Sequence, residues 1–236
     1  MTEGDFYAHF QRDRPTGLGV RLTAALSRRV FESAGIKAGD RVLEIGPGRG
    51  AFAELCLERR TEFTAIEPNP ELAASLERRG VAVFRAKVPP LPALPTKYDV
   101  TVMIHVLEHM DGLTEALQVT QQIRDHLEPG GRLVVCSPDY LNMRHYFFDC
   151  DFSHNYVTTR RRLAQLLLSA GYEDVRSRYL SGPWLGPWSL LPAAVAAHLP
   201  FGLAHAWCPQ SRLCLKLYKL QLTFCRQVMM IAENRA

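Results

Sequence analysis

The fold is decided by residues 41–50, which read RVLEIGPGRG. The residues up to Ile45 form a short apolar run that is typical of a buried parallel strand. The glycines at 46, 48 and 50 then let the backbone turn sharply and let a ligand approach the main chain. Their GxGxG spacing differs from the GxGxxG loop of dinucleotide-binding folds, and no Gly-Lys-Ser/Thr follows.

Helical and strand patterns alternate on both sides of this loop. Helices are predicted at residues 17–34, 51–60, 70–79, 111–127 and 160–170, from apolar residues at three- and four-residue steps. Strands are predicted at 41–46, 62–68, 80–86, 98–110 (running into a loop), 132–138, 172–180 and 223–235. This order predicts an α/β fold with a doubly wound, mainly parallel seven-stranded sheet and an apolar insert before the last strand.

Composition and cysteine usage exclude several classes of protein. With 47% hydrophobic and 22% charged residues over 236 positions, a disordered or fibrous chain is excluded. The first fifteen residues contain no apolar stretch, so they do not form a secretory signal. The six cysteines form no CxxC pair, which predicts reduced thiols in a cytoplasmic protein.

An acidic residue completes the pattern of the glycine loop. Glu67 ends the second predicted strand, where a carboxylate can accept hydrogen bonds from ribose hydroxyls. With VLEIGPGRG (42–50), AIEPNP (65–70), YDVTVMIHVLEHM (98–110) and LEPGGRLVVCSPD (127–139) in order, the chain resembles class I S-adenosylmethionine-dependent methyltransferases. TTRRRLAQLLLSAGYEDV (158–175) extends the match, which is nearest to ubiquinone-biosynthesis-type and related small-molecule branches.

The resemblance implies a cofactor, S-adenosylmethionine, and the residues that would hold it. The glycines would pack against its methionine portion, Glu44 would lie near its amino group, and Glu67 would hold the ribose. Pro68 and Asn69 would edge the adenine, and His105 would line the cofactor. The full set of implied cofactor residues is Glu44, Gly46, Gly48, Gly50, Glu67, Pro68, Asn69, Lys87 and His105.

Two positions near the implied cofactor leave questions open. The family usually places an acid after the third strand, whereas this chain has Ala86-Lys87-Val88, so backbone and apolar contacts are expected to hold the adenine. Tyr7 either closes over the cofactor or is an ordinary loop residue.

The HVLEH stretch at 105–109 raises the question of a metal. It matches the HxxEH pattern of zinc proteases, but that pattern needs a helix and here it follows a predicted strand. Some ubiquinone-type relatives bind a divalent ion at this place and have Glu where this chain has His105. We therefore predict no metal site, and we expect Glu108 to bond backbone groups at the start of the next helix.

Two histidines are candidates for a general base. An alcohol acceptor must lose a proton during methyl transfer, and imidazole titrates near neutrality. His109 follows the fourth predicted strand and His154 follows the fifth, and both strands end on the ligand face of such a sheet. Residues 139–156 mix aromatics with carboxylates and predict an acceptor pocket with Tyr140, Tyr146 and Asp151. The alternative is that these aromatics pack a loop over the sheet.

Charge divides the chain into unequal parts. The net charge is −2 over residues 1–150 and +6 over 151–236, and residues 179–211 contain no Asp, Glu, Lys or Arg. Five prolines in this uncharged run argue against a single membrane-spanning helix. Either it is a lid over the acceptor pocket, or it is an apolar patch that lies on a membrane. After this run, Arg212, Lys216 and Lys219 recur at helical spacing. They form either a basic helix that binds an anionic surface or the solvent-facing side of a helix that covers the core.

We interpret the chain as one methyltransferase domain. It divides into an N-terminal helical segment (1–37), a cofactor-binding core (38–178), an insert or lid (179–222) and a last strand with its tail (223–236). The expected reaction is methylation of a hydroxyl oxygen on a small-molecule, sugar or lipid-linked acceptor, with no nucleic-acid partner. The expected location is cytoplasmic, with peripheral membrane contact through 179–222 left open. The alternative is a non-catalytic module that keeps the cofactor as a structural ligand.

Overall fold

The computed structural model describes residues 17–235, in which eight strands form one sheet of order β3-β2-β1-β4-β5-β8-β6-β7. The strands are β1 (Arg41–Ile45), β2 (Glu62–Ile66), β3 (Ala82–Phe84), β4 (Tyr98–Ile104), β5 (Leu127–Pro138), β6 (Glu173–Ser181), β7 (Trp184–Leu185) and β8 (Gln227–Glu233). The α-helices are α1 (Gly17–Ala34), α2 (Ala51–Glu58), α3 (Pro70–Glu77), α4 (Leu113–Asp125), α5 (Tyr140–Met143), α6 (Tyr146–Asp149), α7 (Arg160–Ser169), α8 (Leu190–His198), α9 (Phe201–Trp207) and α10 (Arg212–Phe224). Two 3-10 turns are η1 (Leu107–His109) and η2 (Gly186–Ser189).

The order of the strands reverses next to the glycine loop. From β1 the chain builds β2 and β3 on one side and then crosses to β4 and β5 on the other, all parallel. Ile45 at the end of β1 pairs with Ile66 of β2 and Met103 of β4, so these three strands end at one edge. In doubly wound sheets, ligands bind in the crevice at such a reversal.

Helices cover both faces of the sheet. Leu43 and Ile45 of β1 join a buried cluster with the apolar faces of α4 and α7. Val42 points to the opposite face and joins a second cluster with α1, α2 and α3. Successive residues of a strand face opposite sides, which is why β1 can be apolar along its length and buried on both faces.

The structure differs from the predicted elements at three places. Leu127 already pairs with Tyr98, and the ladder resumes at Arg132 after a bulge at residues 128–131. Strand β5 therefore begins at Leu127 and includes the residues between the predicted helix (111–127) and the predicted strand (132–138). The last strand begins at Gln227, not at 223, because α10 continues to Phe224. The eighth strand is β7, a two-residue antiparallel partner of β6 within the predicted insert.

The uncharged run folds into short pieces. By length and composition, the segment Gly186–Trp207 could cross a membrane, and 22% of it is buried. The structure divides it into η2, α8 and α9, with Pro200 between the two helices. Proline cannot continue the hydrogen-bond ladder, which accounts for the break at Pro200. The absence of a membrane-spanning helix stays a prediction.

Candidate active site

A cleft of about 170 Å³ opens at the carboxyl edge of β1, β2 and β4, and we call it the cofactor cleft. Six of the nine implied cofactor residues line it: Gly46, Gly48, Glu67, Pro68, Lys87 and His105. The other lining residues are Ile45, Ile66, Leu72, Ala86, Val88, Val106, His109, Met110 and Glu115. The predicted place of the cofactor therefore coincides with a real cleft, with Ala86 to Val88 forming one wall.

Two of the loop glycines are required by close packing. Gly46 has a positive φ of 67°, and a Cβ atom there would stand 2.6 Å from Cγ2 of Val106. Gly50, with φ of 78°, begins α2, and a Cβ atom there would stand 2.7 Å from Cδ2 of Leu76. Gly50 thus packs against α3 and does not line the cleft, which departs from its expected role at the cofactor.

Glu67 joins the glycine loop to the end of β2. Its Oε2 accepts a hydrogen bond from the Gly48 N–H at 3.1 Å, and its Oε1 accepts one from the Asn69 N–H at 2.9 Å. Burial raises the pKa of this carboxyl, and the two backbone hydrogen bonds act in the opposite direction. Each carboxylate oxygen keeps a second lone pair, so Glu67 can still accept bonds from the two hydroxyls of a ribose.

Two other implied cofactor residues lie outside the cleft lining. Asn69 caps α3, because its Oδ1 accepts from the N–H groups of Glu71 at 3.0 Å and Leu72 at 3.1 Å. Glu44 is buried beneath the loop, and its Oε2 has no hydrogen-bond partner within residues 17–235. Burial, with a smaller contribution from the nearby Glu67 charge, raises the pKa of Glu44 to about 8. Tyr7 lies outside the described residues.

His105 stands where β4 leaves the sheet. Its φ of 56° is a left-handed backbone conformation that non-glycine residues rarely adopt. The His105 N–H donates to the Cys136 carbonyl at 2.8 Å, which holds the residue at the strand end. Strained residues of this kind cluster at functional sites, and His105 lines the cofactor cleft as expected.

A second cavity of about 260 Å³ adjoins the cofactor cleft, and we call it the polar cavity. His105 and His109 line both spaces. His154 and Asp151 also line the polar cavity, and the ring centroids of His109 and His154 are 5.0 Å apart. Its other lining residues are Glu108, Pro138, Met143, Cys150, Leu222 and Gln227.

Hydrogen bonds fix the tautomer of a neutral His109 ring. The Ser153 Oγ donates to Oδ1 of Asp151 at 2.7 Å, because a carboxylate can only accept. The hydroxyl has a single proton, so at 2.6 Å it must accept a hydrogen bond from Nδ1–H of His109. The Nε2 atom of a neutral His109 therefore carries a lone pair, which is the state a general base needs.

His154 is held in the same tautomer by a different partner. Its Nδ1 lies 2.5 Å from the Phe147 carbonyl, which can only accept, so Nδ1 carries the proton. Burial lowers the pKa of this imidazole, and the nearby charge of Glu108 acts in the opposite direction. Both candidate bases thus keep an unprotonated Nε2 atom.

Glu108 has a position that the sequence did not indicate. Its side chain is fully buried against the polar cavity, and neither carboxylate oxygen has a hydrogen-bond partner within residues 17–235. The expected role at the start of α4 is wrong for Glu108, because Glu115 fills it: Oε2 of Glu115 accepts from the Asp111 N–H at 2.8 Å. A buried carboxylate without a partner is costly unless a ligand completes it.

In the described part of the chain, one set of side chains could hold a metal ion. The ligand atoms of Glu108, His109 and His154 all lie within 4.8 Å of one another. One carboxylate and two imidazoles suit a divalent transition metal. The set joins two segments that are far apart in sequence, which the HVLEH pattern could not show. The absence of a metal stays a prediction.

Two predicted acceptor residues line neither the cofactor cleft nor the polar cavity. Tyr146 is buried in a cluster with Tyr218 of α10, their ring centroids 5.8 Å apart. Tyr140 packs edge-on against Phe147 at 5.7 Å. Both tyrosines thus make aromatic contacts around α5, α6 and α10, and their place in an acceptor pocket stays a prediction. Gln227 and Leu222 line the polar cavity instead, and only the antiparallel pairing of Pro138 with Gln227 brings β8 there.

Fold and site together define a class I S-adenosylmethionine-dependent methyltransferase. The family model described as a methyltransferase domain matches residues 9–177, and the chain belongs to that family. A SAM-dependent methyltransferase from Archaeoglobus fulgidus superposes with a TM-score of 0.65 at 21% identity, over 91% of this chain and 94% of that one. The N-methyltransferase NodS from Bradyrhizobium japonicum, in complex with S-adenosylhomocysteine, gives 0.61 at 17% identity over 92% and 87%. These two likenesses show the fold.

Curated relatives match a smaller part of the chain. Ribosomal RNA small subunit methyltransferase A from Chlorobaculum parvum is 42% identical over 74 residues, which are 31% of this chain and 27% of that protein. The protein of the same name from Magnetococcus marinus is 31% identical over 159 residues, 56% of this chain and 57% of that one. The chain thus spans between 27% and 57% of the length of these two relatives.

Proposed function

We propose that the protein methylates a hydroxyl oxygen of a small-molecule, sugar or lipid-linked acceptor, with His109 as the general base. The observation that supports this most is the position of His109, which lines both the cofactor cleft and the polar cavity. An acceptor in the polar cavity and a methyl donor in the cleft would meet beside this ring. The hydrogen bonds around Nδ1 leave Nε2 free to take a proton.

The chain's own contribution is alignment and proton removal. S-adenosylmethionine supplies a methyl carbon that its sulfonium already activates. The protein holds the acceptor oxygen in line with that carbon and excludes water from the approach. As the acceptor O–C bond would form, the methyl C–S bond would break and release S-adenosylhomocysteine, and the hydroxyl proton would pass to Nε2 of His109. The resulting imidazolium is stabilised through Ser153 by the Asp151 carboxylate.

The polar cavity favours an acceptor with more than one hydrogen-bond donor. The unpartnered oxygens of Glu108 can accept a bond from a second hydroxyl, and Nε2 of His154 can accept another. No Lys or Arg is among the residues that line this cavity, so a phosphate of RNA would find no cation there. These features support a hydroxylated small acceptor over a nucleic acid.

The test is a transfer assay with radiolabelled S-adenosylmethionine. The panel contains phenols, sugars, lipid-linked glycans and a ribosomal RNA stem-loop. We expect transfer to a hydroxylated small or lipid-linked acceptor, and His109→Gln should lower kcat by about 10²- to 10⁴-fold. His126→Gln is the control, because His126 lies at the C-terminal end of α4 and lines neither the cofactor cleft nor the polar cavity.

Three results would contradict the proposal. Transfer to the RNA stem-loop alone would mean that the acceptor is a nucleic acid and not a hydroxylated small or lipid-linked molecule. Cofactor binding without transfer to any acceptor would favour the non-catalytic module. Unchanged turnover of His109→Gln together with a large loss in His154→Gln would move the base to His154.

A further inference from the structure

The insert exposes an unusual amount of apolar surface. Eight of the sixteen exposed large hydrophobic side chains of the described residues lie between Trp184 and Leu213. Trp188 is 81% exposed, Leu191 75% and Trp207 88%. Tryptophan is buried in most proteins, and a concentration of exposed apolar side chains marks a site of interaction. We call residues 184–213 the insert surface.

A groove of about 840 Å³ is cut into this surface, and we call it the apolar groove. It is lined by Trp184, Pro187, Trp188, Leu191, Pro192, Val195, Ala196, Leu199, Phe201, Leu220, Gln221 and Phe224. Gln221 is the one amide side chain among these lining residues. Its Nε2 donates to the carbonyls of Ala196 and Leu199 at 2.9 and 2.8 Å, and its Oε1 accepts from the Gly202 N–H at 3.2 Å. The groove therefore favours a hydrocarbon.

Along the sequence, the segment that contains the insert surface carries positive charge only. Residues 175–232 contain six Lys and Arg and no Asp or Glu. Arg212 and Lys216 lie exposed on α10, directly after the uncharged run. A charge-free apolar surface bordered by cations is complementary to an anionic membrane, whose headgroups meet the cations while the tryptophans enter the interface.

Two other occupants fit this surface less well. A second copy of the chain in a two-fold dimer would place the same patch on both sides. Its cations would then face one another, because residues 175–232 supply no acid to pair them. A protein partner would need polar rim contacts, and protein interfaces form about one hydrogen bond per 100–200 Å². The uncharged run offers few such groups.

One helix connects the apolar groove with the proposed acceptor site. On α10, Leu220 and Phe224 line the groove, while Leu222 lines the polar cavity. Tyr218 of the same helix donates to Oδ2 of Asp149 at 2.5 Å and fixes α10 to the segment that carries His154. A molecule with a polar head in the cavity and a chain in the groove would lie across this helix.

We propose that the insert surface docks on an anionic lipid bilayer and that the apolar groove takes the hydrocarbon chain of a lipid acceptor. The identity of the acceptor rests on the proposed function, because its polar head is what His109 would deprotonate. The docking does not, since it depends on the insert surface alone.

Docking is measured by co-sedimentation with vesicles, first of phosphatidylcholine with phosphatidylglycerol and then of phosphatidylcholine alone. We expect binding to the anionic vesicles that weakens with salt. Replacing Arg212 and Lys216 by Gln should weaken it about 25-fold, since each cation contributes roughly fivefold near an anionic surface. Trp188→Ser with Trp207→Ser should weaken it by at least about tenfold.

Leu168→Ser is the matched control, because Leu168 is 58% exposed on α7 and lies outside the insert surface. It should bind vesicles as the wild type does. Binding of S-adenosylhomocysteine by calorimetry, unchanged in every variant, verifies that each one folds. No binding to anionic vesicles at low salt, or equal binding by the tryptophan variant, would overturn the docking. A wild-type dimer that the tryptophan variant abolishes, seen by light scattering, would assign the surface to a second copy.

The groove is tested by fluorescence, because all three tryptophans of the chain lie in the insert surface. A brominated single-chain lipid below its critical micelle concentration should quench a variant that keeps only Trp188, which lines the groove. A variant that keeps only Trp207 is the control and should be quenched much less. Equal quenching of the two, or none, would overturn the groove assignment. If the wild type binds vesicles but no S-adenosylmethionine, the proposed function fails while the docking stands.

Discussion

The Oγ atom of Ser153 lies 2.6 Å from Nδ1 of His109, and the same hydroxyl donates to Asp151 at 2.7 Å. These two hydrogen bonds fix one tautomer of His109, and they connect its imidazolium form, through the Ser153 hydroxyl, with the negative charge of Asp151. The arrangement makes Ser153 a positioning residue for the proposed base.

Ser153→Ala should lower kcat by about tenfold and leave KM nearly unchanged. The substitution removes the hydroxyl that accepts the Nδ1–H bond, so the His109 ring can rotate or change tautomer. The site that binds the methyl acceptor keeps its shape, so KM is unaffected. Steady-state kinetics with the acceptor found in the transfer assay provides the measurement. Ser169→Ala on α7 is the control, because Ser169 is exposed. A rise in KM with constant kcat would mean that Ser153 serves binding instead.

Glu67→Gln should weaken the binding of S-adenosylhomocysteine by about 10- to 100-fold. One end of the amide becomes a donor, which then faces the N–H of Gly48 or of Asn69 and leaves one of them without an acceptor. The glycine loop loses its tie to β2, and a ribose loses an acceptor. Calorimetry measures the affinity, with Glu62→Gln on the same strand as the control, because Glu62 is exposed. Wild-type affinity in Glu67→Gln would remove the ribose assignment.

Glu44 should make the stability of the apo-protein depend on pH. Burial raises its pKa to about 8 in the folded state, against 4.5 for an unperturbed carboxyl. The folded state thus favours the protonated form of Glu44. The contribution of this carboxyl to the free energy of unfolding is full below pH 4.5 and is lost as pH rises towards 8. In urea unfolding, Glu44→Gln should gain a few kcal/mol over the wild type between pH 5 and pH 8. Glu62→Gln should show no such gain, and a parallel pH profile in Glu44→Gln would contradict the assignment.

Removal of divalent metal should leave methyl transfer unchanged. In the proposed function, Nε2 of His109 must carry a free lone pair, and a metal ion bound by Glu108, His109 and His154 would occupy it. Activity and metal content are measured before and after dialysis against a chelator. If activity falls and is restored by Zn²⁺, the three side chains form a metal site and the His109 base assignment is wrong.

The sequence determined the parts of this protein that local chemistry specifies. Apolar periodicity predicted the main helices, because burial of one face imposes a repeat of 3.6 residues. Short continuous apolar runs predicted the parallel strands, because these strands are buried on both faces. The glycine loop and Glu67 could be predicted because both follow buried strands that pair directly in the sheet. The prolines of 179–211 predicted that this run is broken into pieces.

Only the tertiary structure decided which side chains share the site. The direction of a side chain in an irregular segment is set by what packs around it, and residues 139–159 have no period that would reveal this. Packing turned Tyr146 into the cluster under α10 and brought His154 to His109. It also left the Glu108 carboxylate without a hydrogen-bond partner among residues 17–235, and it moved Gln227 to the polar cavity through antiparallel pairing with β5. These choices depend on contacts between distant segments, which no local pattern encodes.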